Sequence, residues 1–178
     1  MQTESIILAS GCFWCTEAIF SRLEGVKSVT PGYIGGNLDN PTYEQVCTGT
    51  TNHAEALKVE FNPNEISLQE LFAVFFTTHD PTSLNRQGND IGTQYRSEIF
   101  YTNEKQKQVA EEVLEGLQKG QFFVNPIVTR ITEAPTFWKA EDYHRKYFEN
   151  NPEKSYCQAV IKPKVEKFEG LFTNKIKK

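Results

Sequence analysis

The most constraining feature of the chain is the Gly-Cys-Phe-Trp-Cys segment at residues 11–15, which separates an apolar run from a stretch without Gly or Pro. The apolar run at residues 6–9 predicts a buried strand, and residues 16–23 predict a helix. Cys12 is therefore expected where a strand turns into a helix, beside amide groups and a helix dipole that stabilise a thiolate. Cys15 is expected one helical turn further along, on the same face of the helix.

Composition argues against several classes of protein. A chain of 178 residues fits a single domain, residues 1–178, that is long enough for a hydrophobic core. A net charge of −4 with scattered Lys and Arg argues against a nucleic-acid partner. No apolar run approaches the ~20 residues of a membrane span, and the first residues lack the pattern of a secretion signal. Four unevenly spread cysteines do not suit a disulfide-stapled fold, so we expect a cytoplasmic protein.

Alternating strand and helix patterns predict an α+β fold. Leu57, Val59 and Phe61 alternate with polar residues, as in a half-buried strand, and Ser67 begins a capping box before an amphipathic helix. The other predicted elements are strands at residues 26–34, 97–101 and 127–131, helices at residues 103–119 and 140–148, and a functional loop at residues 79–96. This order indicates a two-layer α/β sandwich with helices on one side of a mixed sheet, followed by an extended C-terminal tail from residue 155.

Cys12 has three interpretations from its local pattern alone. It is a buried small side chain, a metal ligand paired with Cys15, or a nucleophile. The metal interpretation, which would suit a small metal-binding adaptor, is weak because no second Cys-x-x-Cys pair follows and the histidines are scattered. No chemical role is assigned to His53, His79, His144 or Arg96.

The strand-to-helix position favours the nucleophile. A thiol-disulfide oxidoreductase of the Cys-x-x-Cys type is the rival function, since two cysteines one turn apart suit disulfide exchange. The apolar pair Phe13-Trp14 argues against this rival because it suggests a pocket for an apolar group.

Three further motifs follow the first one along the chain. Asn-Pro-Thr-Tyr ends at Tyr43, His-Ala-Glu-Ala contains Glu55, and Gly-Asn-Asp-Ile-Gly-Thr-Gln-Tyr-Arg-Ser contains Asp90 and Tyr95. Together with Gly-Cys-Phe-Trp, this series resembles the peptide methionine sulfoxide reductases of the A type. The resemblance covers residues 6–157 and implies a ferredoxin-like core.

The resemblance implies a reaction and a role for each of these residues. Cys12 is the nucleophile that attacks the sulfoxide sulfur, and Glu55, kept protonated by its surroundings, supplies a proton to the departing oxygen. The hydroxyl groups of Tyr43 and Tyr95 hold that oxygen. The substrate-binding positions implied by the resemblance are Phe13 and Trp14, which receive the methyl group, and Asp90 near the pocket.

The resemblance also implies how the enzyme is recycled. The substrate is the S epimer of methionine sulfoxide, free or in proteins, and the reaction leaves a sulfenic acid on Cys12 that a second thiol converts into a disulfide. Cys157 and Cys15 are the candidates for this resolving thiol. We favour Cys157, which matches a C-terminal resolving cysteine found in part of the family and lies in a tail that is expected to be mobile and to swing to Cys12. Thioredoxin then reduces the disulfide, and no metal or organic cofactor is expected. Cys47 is expected to be buried and inert, and the protein to be a monomer.

Overall fold

The computed structural model describes residues 3–177 of the chain. Its strands are β1 (Glu4–Ser10), β2 (Val26–Ile34), β3 (Ala54–Phe61), β4 (Arg86–Gln87), β5 (Asp90–Ile91), β6 (Ser97–Tyr101), β7 (Arg130–Glu133) and β8 (Trp138–Lys139). Its α-helices are α1 (Phe13–Phe20), α2 (Tyr43–Cys47), α3 (Leu68–Thr77), α4 (Glu104–Lys119), α5 (Tyr147–Asn150) and α6 (Lys162–Leu171). Single turns of 3-10 helix span Thr93–Tyr95, Asp142–His144 and Thr173–Lys175, and a π-helical turn spans Cys157–Ile161.

Six of the strands form one sheet in the order β7-β6-β1-β3-β2-β8. Strands β6 and β7 pair in parallel, and the other neighbours pair antiparallel, so the predicted mixed sheet is confirmed. The central strand β1 places Ile6 opposite Val59 of β3 and Ile7 opposite Phe100 of β6. Because successive side chains of a strand point to opposite faces, Ile6 and Ile7 belong to different cores.

The two faces of the sheet are covered unequally. On one face, Ile6 and Leu8 pack with buried side chains of α1, α3, α4 and α6 in the main core. On the other face, Ile7 and Phe100 belong to a small cluster that Phe137 covers. The helices therefore form a second layer on one side of the sheet. Among residues 3–177, no helix has the length and apolar character that crossing a membrane requires.

The strand-to-helix turn predicted around Cys12 is confirmed, and a glycine makes it possible. Gly11 has a φ of +100°, and a Cβ atom there would lie 2.7 Å from Cγ of Gln87. A larger residue at this position is therefore both strained and too close to the loop after α3. The predicted capping box at Ser67 is also confirmed, since its side chain accepts a hydrogen bond from the backbone of Glu70.

The prediction of an extended C-terminal tail is wrong, because this segment is helical and packed. Cys157, Ile161, Val165 and Phe168 are buried in the main core. Their spacing of four, four and three residues places them on one face of a helix, and the lysines between them face outward or only partly inward. Tertiary packing of this apolar face explains the helix despite its many charges.

Two smaller expectations also differ from the structure. The predicted helix at residues 140–148 divides into a 3-10 turn and α5, because Lys146 between them has a φ of +53°. The strand predicted at residues 127–131 begins only at Arg130. In addition, the short helix α2 was not predicted, although Thr42 and Gln45 form a capping box at its start.

Candidate active site

Cys12 lies at the N-cap position of α1 and is 8% exposed. Burial raises the pKa of its thiol well above the ordinary value, and nearby Glu55 and Cys15 raise it further. The backbone amide of Trp14 and the hydroxyl group of Tyr156 lower this pKa, but by less than burial raises it. The predicted helix terminus at Cys12 is present, but desolvation of the thiol outweighs its effect on the pKa.

Glu55 is the second residue of β3. It lies beside Cys12 and is 1% exposed. Its Oε1 atom accepts a hydrogen bond of 3.1 Å from the backbone amide of Phe13. Burial raises the pKa of Glu55 to about 8, and the charge of Asp90 also raises it. The carboxyl group is thus largely protonated at neutral pH. Its Oε2 atom is buried and has no hydrogen-bond partner among the described residues.

Phe13 and Trp14 contribute to an apolar wall next to the thiol. Phe13 is fully buried, with its ring centroid 5.7 Å from that of Tyr33 and 6.4 Å from that of Tyr43. Trp14 is half-buried, and its ring stacks on Tyr147 at a centroid distance of 3.7 Å and an interplanar angle of 6°. The two aromatic residues after Cys12 are therefore fixed by packing on both sides.

His144 holds Trp14 from a distant part of the chain, which the sequence analysis missed. The Nε1 group of Trp14 donates a hydrogen bond of 3.0 Å to Nδ1 of His144, a fully buried residue. Burial lowers the pKa of His144, which keeps the ring neutral and able to accept this bond. The contact joins residues 130 positions apart, and no local pattern signals it.

Glu141 adds a second connection between the same segment and the aromatic wall. Its Oε1 atom accepts a hydrogen bond from the Tyr33 hydroxyl group, and its Oε2 atom accepts one from the backbone amide of Tyr43, both at 2.8 Å. Residues 141–144 therefore fix the positions of both Tyr43 and Trp14. Sequence reasoning missed this residue too.

The structure brings Tyr43 and Tyr95 towards Cys12 and Glu55. Both tyrosines are half-buried, at the start of α2 and in the 3-10 turn before β6. Burial is the main cause that raises the pKa of each phenol, and the charges of Glu55 and Cys12 raise both values further. The two hydroxyl groups therefore keep their protons and can donate hydrogen bonds.

Asp90 is linked to a further residue that the sequence analysis missed. The Tyr156 hydroxyl group donates a hydrogen bond of 2.6 Å to Oδ2 of Asp90. The same hydroxyl group lowers the pKa of the thiols of Cys12 and Cys15, but by less than burial raises it. A cavity of about 310 Å³ is lined by Cys12, Asp90 and Tyr156, among others. Tyr156 thus covers one side of the nucleophile.

The other three cysteines have different environments. Cys15 is 3% exposed in the first turn of α1, and burial raises its pKa to about 11. Cys157 is fully buried in the main core. Cys47 is exposed, so its predicted burial is wrong; in α2 only Val46 faces inward. Cys47 raises the pKa of the Tyr43 hydroxyl group, which places Cys47 at the edge of the site.

Two histidines and Arg96 make structural contacts that account for them without a role in the reaction. The ring of His53 accepts a hydrogen bond from the backbone amide of Gly36, and the ring of His79 hydrogen-bonds the hydroxyl group of Ser97. Arg96 pairs with Glu98 at 2.7 Å. These contacts connect loops to the sheet, away from the aromatic wall.

A mixed α/β fold with a buried thiol, a protonated carboxyl group and an apolar wall at one end of the sheet defines a cysteine-based enzyme site. The model of the family "Peptide methionine sulfoxide reductase" matches residues 4–176. The chain belongs to this family, and it is an oxidoreductase of the MsrA type.

Individual relatives agree with the family match. The peptide methionine sulfoxide reductase MsrA of Deinococcus radiodurans is 53% identical over 98% of this chain and 84% of its own length. The reduced form of Mxr1 from Saccharomyces cerevisiae superposes with a TM-score of 0.80 at 36% identity, covering 88% of this chain and 90% of Mxr1. Mxr1 in complex with Trx2 gives a TM-score of 0.56 at 26% identity, covering 82% of this chain and 85% of Mxr1.

Proposed function

We propose that the chain reduces the S epimer of methionine sulfoxide, free or in proteins, with Cys12 as the nucleophile. The observation that carries this proposal is the Glu55 carboxyl group, which is protonated, buried next to the thiol and unpaired at Oε2. Such a group can donate a proton to an oxygen that enters the site. The preference for the S epimer rests on the family resemblance alone.

In the proposed reaction, the Cys12 sulfur attacks the sulfoxide sulfur while Glu55 gives its proton to the sulfoxide oxygen. The Cys12 proton passes to the Glu55 carboxylate, so the carboxyl group ends the step as it began. The oxygen then moves from the substrate to Cys12, and the balance is one thiol and one sulfoxide converted into one sulfenic acid and one thioether. Because the pKa of Cys12 is raised, the free enzyme keeps its thiol protonated. The thiol therefore loses its proton only when the substrate is bound.

The tyrosines and the aromatic wall give the substrate its orientation. Tyr43 and Tyr95 keep their protons and can donate hydrogen bonds to the sulfoxide oxygen, whose negative charge grows during the attack. Phe13 and Trp14 offer an apolar contact for the methyl group on the opposite side. Asp90 acts through Tyr156 rather than on the substrate directly.

For the second step we propose Cys15 as the resolving thiol, in place of Cys157. The preference for Cys157 required a mobile tail in addition to the family match, whereas this residue is fully buried in a helical segment. Cys15 lies within the same helical turn as Cys12, and the amide of Cys15 donates a hydrogen bond of 3.1 Å to the Cys12 carbonyl group. The sulfenic acid on Cys12 and the Cys15 thiol then give a disulfide and one water molecule.

Thioredoxin is the proposed reductant of this disulfide. The structure of Mxr1 in complex with Trx2 supports this partner. Since Cys12 and Cys15 are both covered by Tyr156, we infer that residues 151–161 open before a reductant protein attacks the disulfide.

The remaining expectations stay part of the proposal. They are one catalytic domain at residues 1–178, a monomer and a cytoplasmic location. A ferredoxin-like core is supported by the strand order β6-β1-β3-β2, with α1 and α3 as the crossover helices. The absolute molar mass in solution, from light scattering, tests the monomer.

The reaction itself is tested with the two separated epimers of a blocked methionine sulfoxide and dithiothreitol as reductant. We expect turnover of the S epimer and no detectable turnover of the R epimer. Reduction of insulin disulfides without turnover of either epimer would contradict the proposal and favour a Cys-x-x-Cys oxidoreductase. Turnover of the R epimer alone would contradict the stereochemical part.

A further inference from the structure

The cavity of about 310 Å³ beside Cys12 has a lining that the proposed attack on the sulfoxide does not use. Cys12, Asp90, Tyr156 and Lys164 line it, but none of the residues that the proposed reaction places around the sulfoxide does. Among the described residues of this lining, Lys164 is the one with a positive charge. The cavity therefore adds a cation to the surroundings of the nucleophile, on a side where the acid and the aromatic wall are absent.

The helical periodicity of the C-terminal segment brings Lys164 to this cavity. Tyr156, Val160 and Lys164 follow one another at intervals of four residues, and all three line the cavity. Residues four apart lie on one face of a helix. The other two lysines of α6, Lys162 and Lys167, are exposed, whereas Lys164 is half-buried. The segment thus directs one lysine of α6 inward, towards Cys12.

The ammonium group of Lys164 forms no ion pair with any carboxylate of residues 3–177. Asp90 lines the same cavity, but its carboxylate accepts a hydrogen bond from the Tyr156 hydroxyl group instead. Partial burial of an unpaired charge opposes folding, although a lysine reduces this cost by packing its stem and keeping its head in water. Lys164 is therefore available to a negative charge that appears only during the reaction.

Cys15 is the thiol that lies next to this lysine. It packs in the main core with Ile161, Val165 and Phe168, which are the inward neighbours of Lys164 on the helical segment. Burial raises the pKa of the Cys15 thiol to about 11, and the charge of Lys164 is the strongest influence that lowers it. Packing and charge therefore agree that the ammonium group lies close to Cys15.

The other titratable groups around Cys15 carry no positive charge. Those that influence its pKa come from the segment before α6, from β5 and from β3, and they are Tyr156, Asp90 and Glu55. Tyr156 lowers this pKa, whereas Asp90 and Glu55 raise it. Burial raises the pKa of the two neighbouring thiols, Cys12 and Cys157. Lys164 is thus the cation that compensates for a negative charge on Cys15.

We propose that Lys164 is a positioning residue for recycling, whose ammonium group stabilises the Cys15 thiolate that attacks the sulfenic acid on Cys12. The inference rests on the proposed function, because the sulfenic acid forms only after Cys12 has taken the sulfoxide oxygen. In this step the two sulfur atoms form a bond, the S–O bond of Cys12 breaks, and hydroxide leaves with the thiol proton as water. The Cys15 sulfur is oxidised and the Cys12 sulfur is reduced by the same amount.

The charge on Lys164 should change the rate of this step in one direction. The thiolate is the form of cysteine that attacks, and its fraction changes tenfold for each pKa unit. A less acidic thiol is intrinsically more nucleophilic, which offsets part of the loss when the cation is removed. We therefore expect Lys164→Met to slow disulfide formation about threefold to tenfold at pH 7, with methionine released at the wild-type rate.

The test lets dimedone, a reagent that traps sulfenic acids, compete with Cys15 during one turnover. One equivalent of methionine sulfoxide is added to the reduced protein, and mass spectrometry measures the ratio of dimedone adduct to Cys12–Cys15 disulfide. This ratio does not depend on how fast the sulfenic acid forms. Lys164→Met should raise it about threefold to tenfold, and Lys164→Glu should raise it further. Lys164→Arg keeps the charge and should restore a ratio close to that of wild type.

Matched controls separate the charge from packing. Lys167 lies one helical turn from Lys164 but is exposed and does not line the cavity, so Lys167→Met should give the wild-type ratio. Because dimedone is itself anionic at neutral pH, its trapping rate is measured in Cys15→Ser with and without Lys164→Met, and the ratios are corrected for any difference. In Lys164→Met a given corrected ratio should be reached at a higher pH than in wild type, a shift that loss of packing alone does not produce.

Other results have distinct meanings. A corrected ratio in Lys164→Met equal to that of wild type would overturn the role of Lys164 and leave the proposed function intact. Equal increases in Lys164→Met and Lys164→Arg would assign the effect to packing of α6 and overturn the role of the charge. A Cys12–Cys157 disulfide in wild type would remove the thiolate on which Lys164 is proposed to act. If the wild-type chain releases no methionine from the sulfoxide, the proposed function itself fails.

Discussion

The start of α1 and the C-terminal cover, residues 151–161, lie on opposite sides of the Cys12 thiol, and they are held in different ways. The start of α1 is bonded to the sheet, since the amide of Phe13 donates to Glu55 on β3. The cover is helical and buries Cys157 and Ile161. Its side chains hydrogen-bond the rest of the chain through the Tyr156 hydroxyl group, which donates to Asp90, and through Nδ2 of Asn151, which donates to the Tyr147 carbonyl group.

This difference assigns the two regions to different steps. The proposed attack on a sulfoxide uses a thiol and an acid at fixed positions, and the bond between the Phe13 amide and Glu55 on β3 holds the two together. Access of a reductant protein needs a region that opens at a small cost in free energy, and a cover attached by packing and two side-chain hydrogen bonds suits that step. We therefore expect changes in the first region to affect sulfoxide reduction and changes in the second to affect recycling.

The largest effect is expected at the start of α1. Cys12→Ser should abolish sulfoxide reduction, since a hydroxyl group does not form the sulfenic acid that takes the oxygen. Multiple turnover with dithiothreitol measures the effect. Retained turnover in this variant would show that another thiol performs the attack.

Glu55→Gln should slow the chemical step about 100-fold to 1000-fold, because the amide has no acidic proton to give. A single-turnover assay measures this step apart from recycling. Glu98→Gln is a matched control, since Glu98 is also a buried glutamate of the sheet but pairs with Arg96. An unchanged rate in Glu55→Gln would remove this residue from the mechanism.

In wild type, the same carboxyl group predicts the dependence of the reaction on pH. Because the pKa of Glu55 is about 8, the single-turnover rate should fall as the pH rises above that value. In Glu55→Gln this fall should be absent from the residual rate. A wild-type rate that stays constant to pH 9.5 would contradict a protonated carboxyl donor.

The sequence was sufficient to predict the site residues at the start of α1 and on β3. It was insufficient to predict the structure of the C-terminal cover. Cys12 and Glu55 lie in motifs that can be recognised without knowledge of the fold, and the capping box at Ser67 indicates the start of α3 from local sequence. His144 and Tyr156 reach the site through contacts over 130 and 66 residues, which no periodicity reveals. The same holds for the pKa of Cys12, because desolvation depends on tertiary packing.

The C-terminal segment was predicted incorrectly for a related reason. Its many lysines are typical of a solvated tail. The spacing of Ile161, Val165 and Phe168, however, gives the segment one apolar face. Helices of this kind are stable only through tertiary contacts, so their sequence signal is weak. The correction matters for function, because it moved the proposed resolving thiol from Cys157 to Cys15.

The two candidate resolving thiols provide the next test of the comparison. Cys15→Ser should reduce steady-state turnover with thioredoxin at least tenfold, whereas Cys157→Ser should retain most of it. Both variants should keep the single-turnover rate of wild type, since neither thiol attacks the sulfoxide. The reverse order of the two variants would assign resolution to the cover.

A smaller effect is expected from loosening the cover. Tyr156→Phe removes the hydrogen bond to Asp90, which is worth about 1.5–3 kcal/mol for a charged acceptor. Hydrogen exchange of residues 151–161 should become faster, and turnover with thioredoxin should rise by up to about tenfold. The single-turnover rate should change much less. Slower exchange, or unchanged turnover where recycling limits the rate, would contradict a cover that has to open.

The smallest effect concerns stability. The pKa of Glu55 is raised by folding from an ordinary value of 4.5 to about 8, so the folded chain holds a proton that the unfolded chain releases between these values. Stability should therefore fall with rising pH across this interval, by a few kcal/mol at most. Glu55→Gln should remove this fall, which urea unfolding at pH 5 and pH 8 measures. An equal fall in both proteins would assign it to other groups.

The most direct test is to identify the disulfide that forms after one equivalent of methionine sulfoxide is added to the reduced chain without a reductant. Free thiols are blocked, the protein is digested, and the linked peptides are identified by mass spectrometry. The account predicts a Cys12–Cys15 disulfide, with Cys47 and Cys157 recovered as blocked thiols. A Cys12–Cys157 disulfide would contradict the assignment of resolution to α1, and a product in which Cys12 is a free thiol would contradict the nucleophile itself.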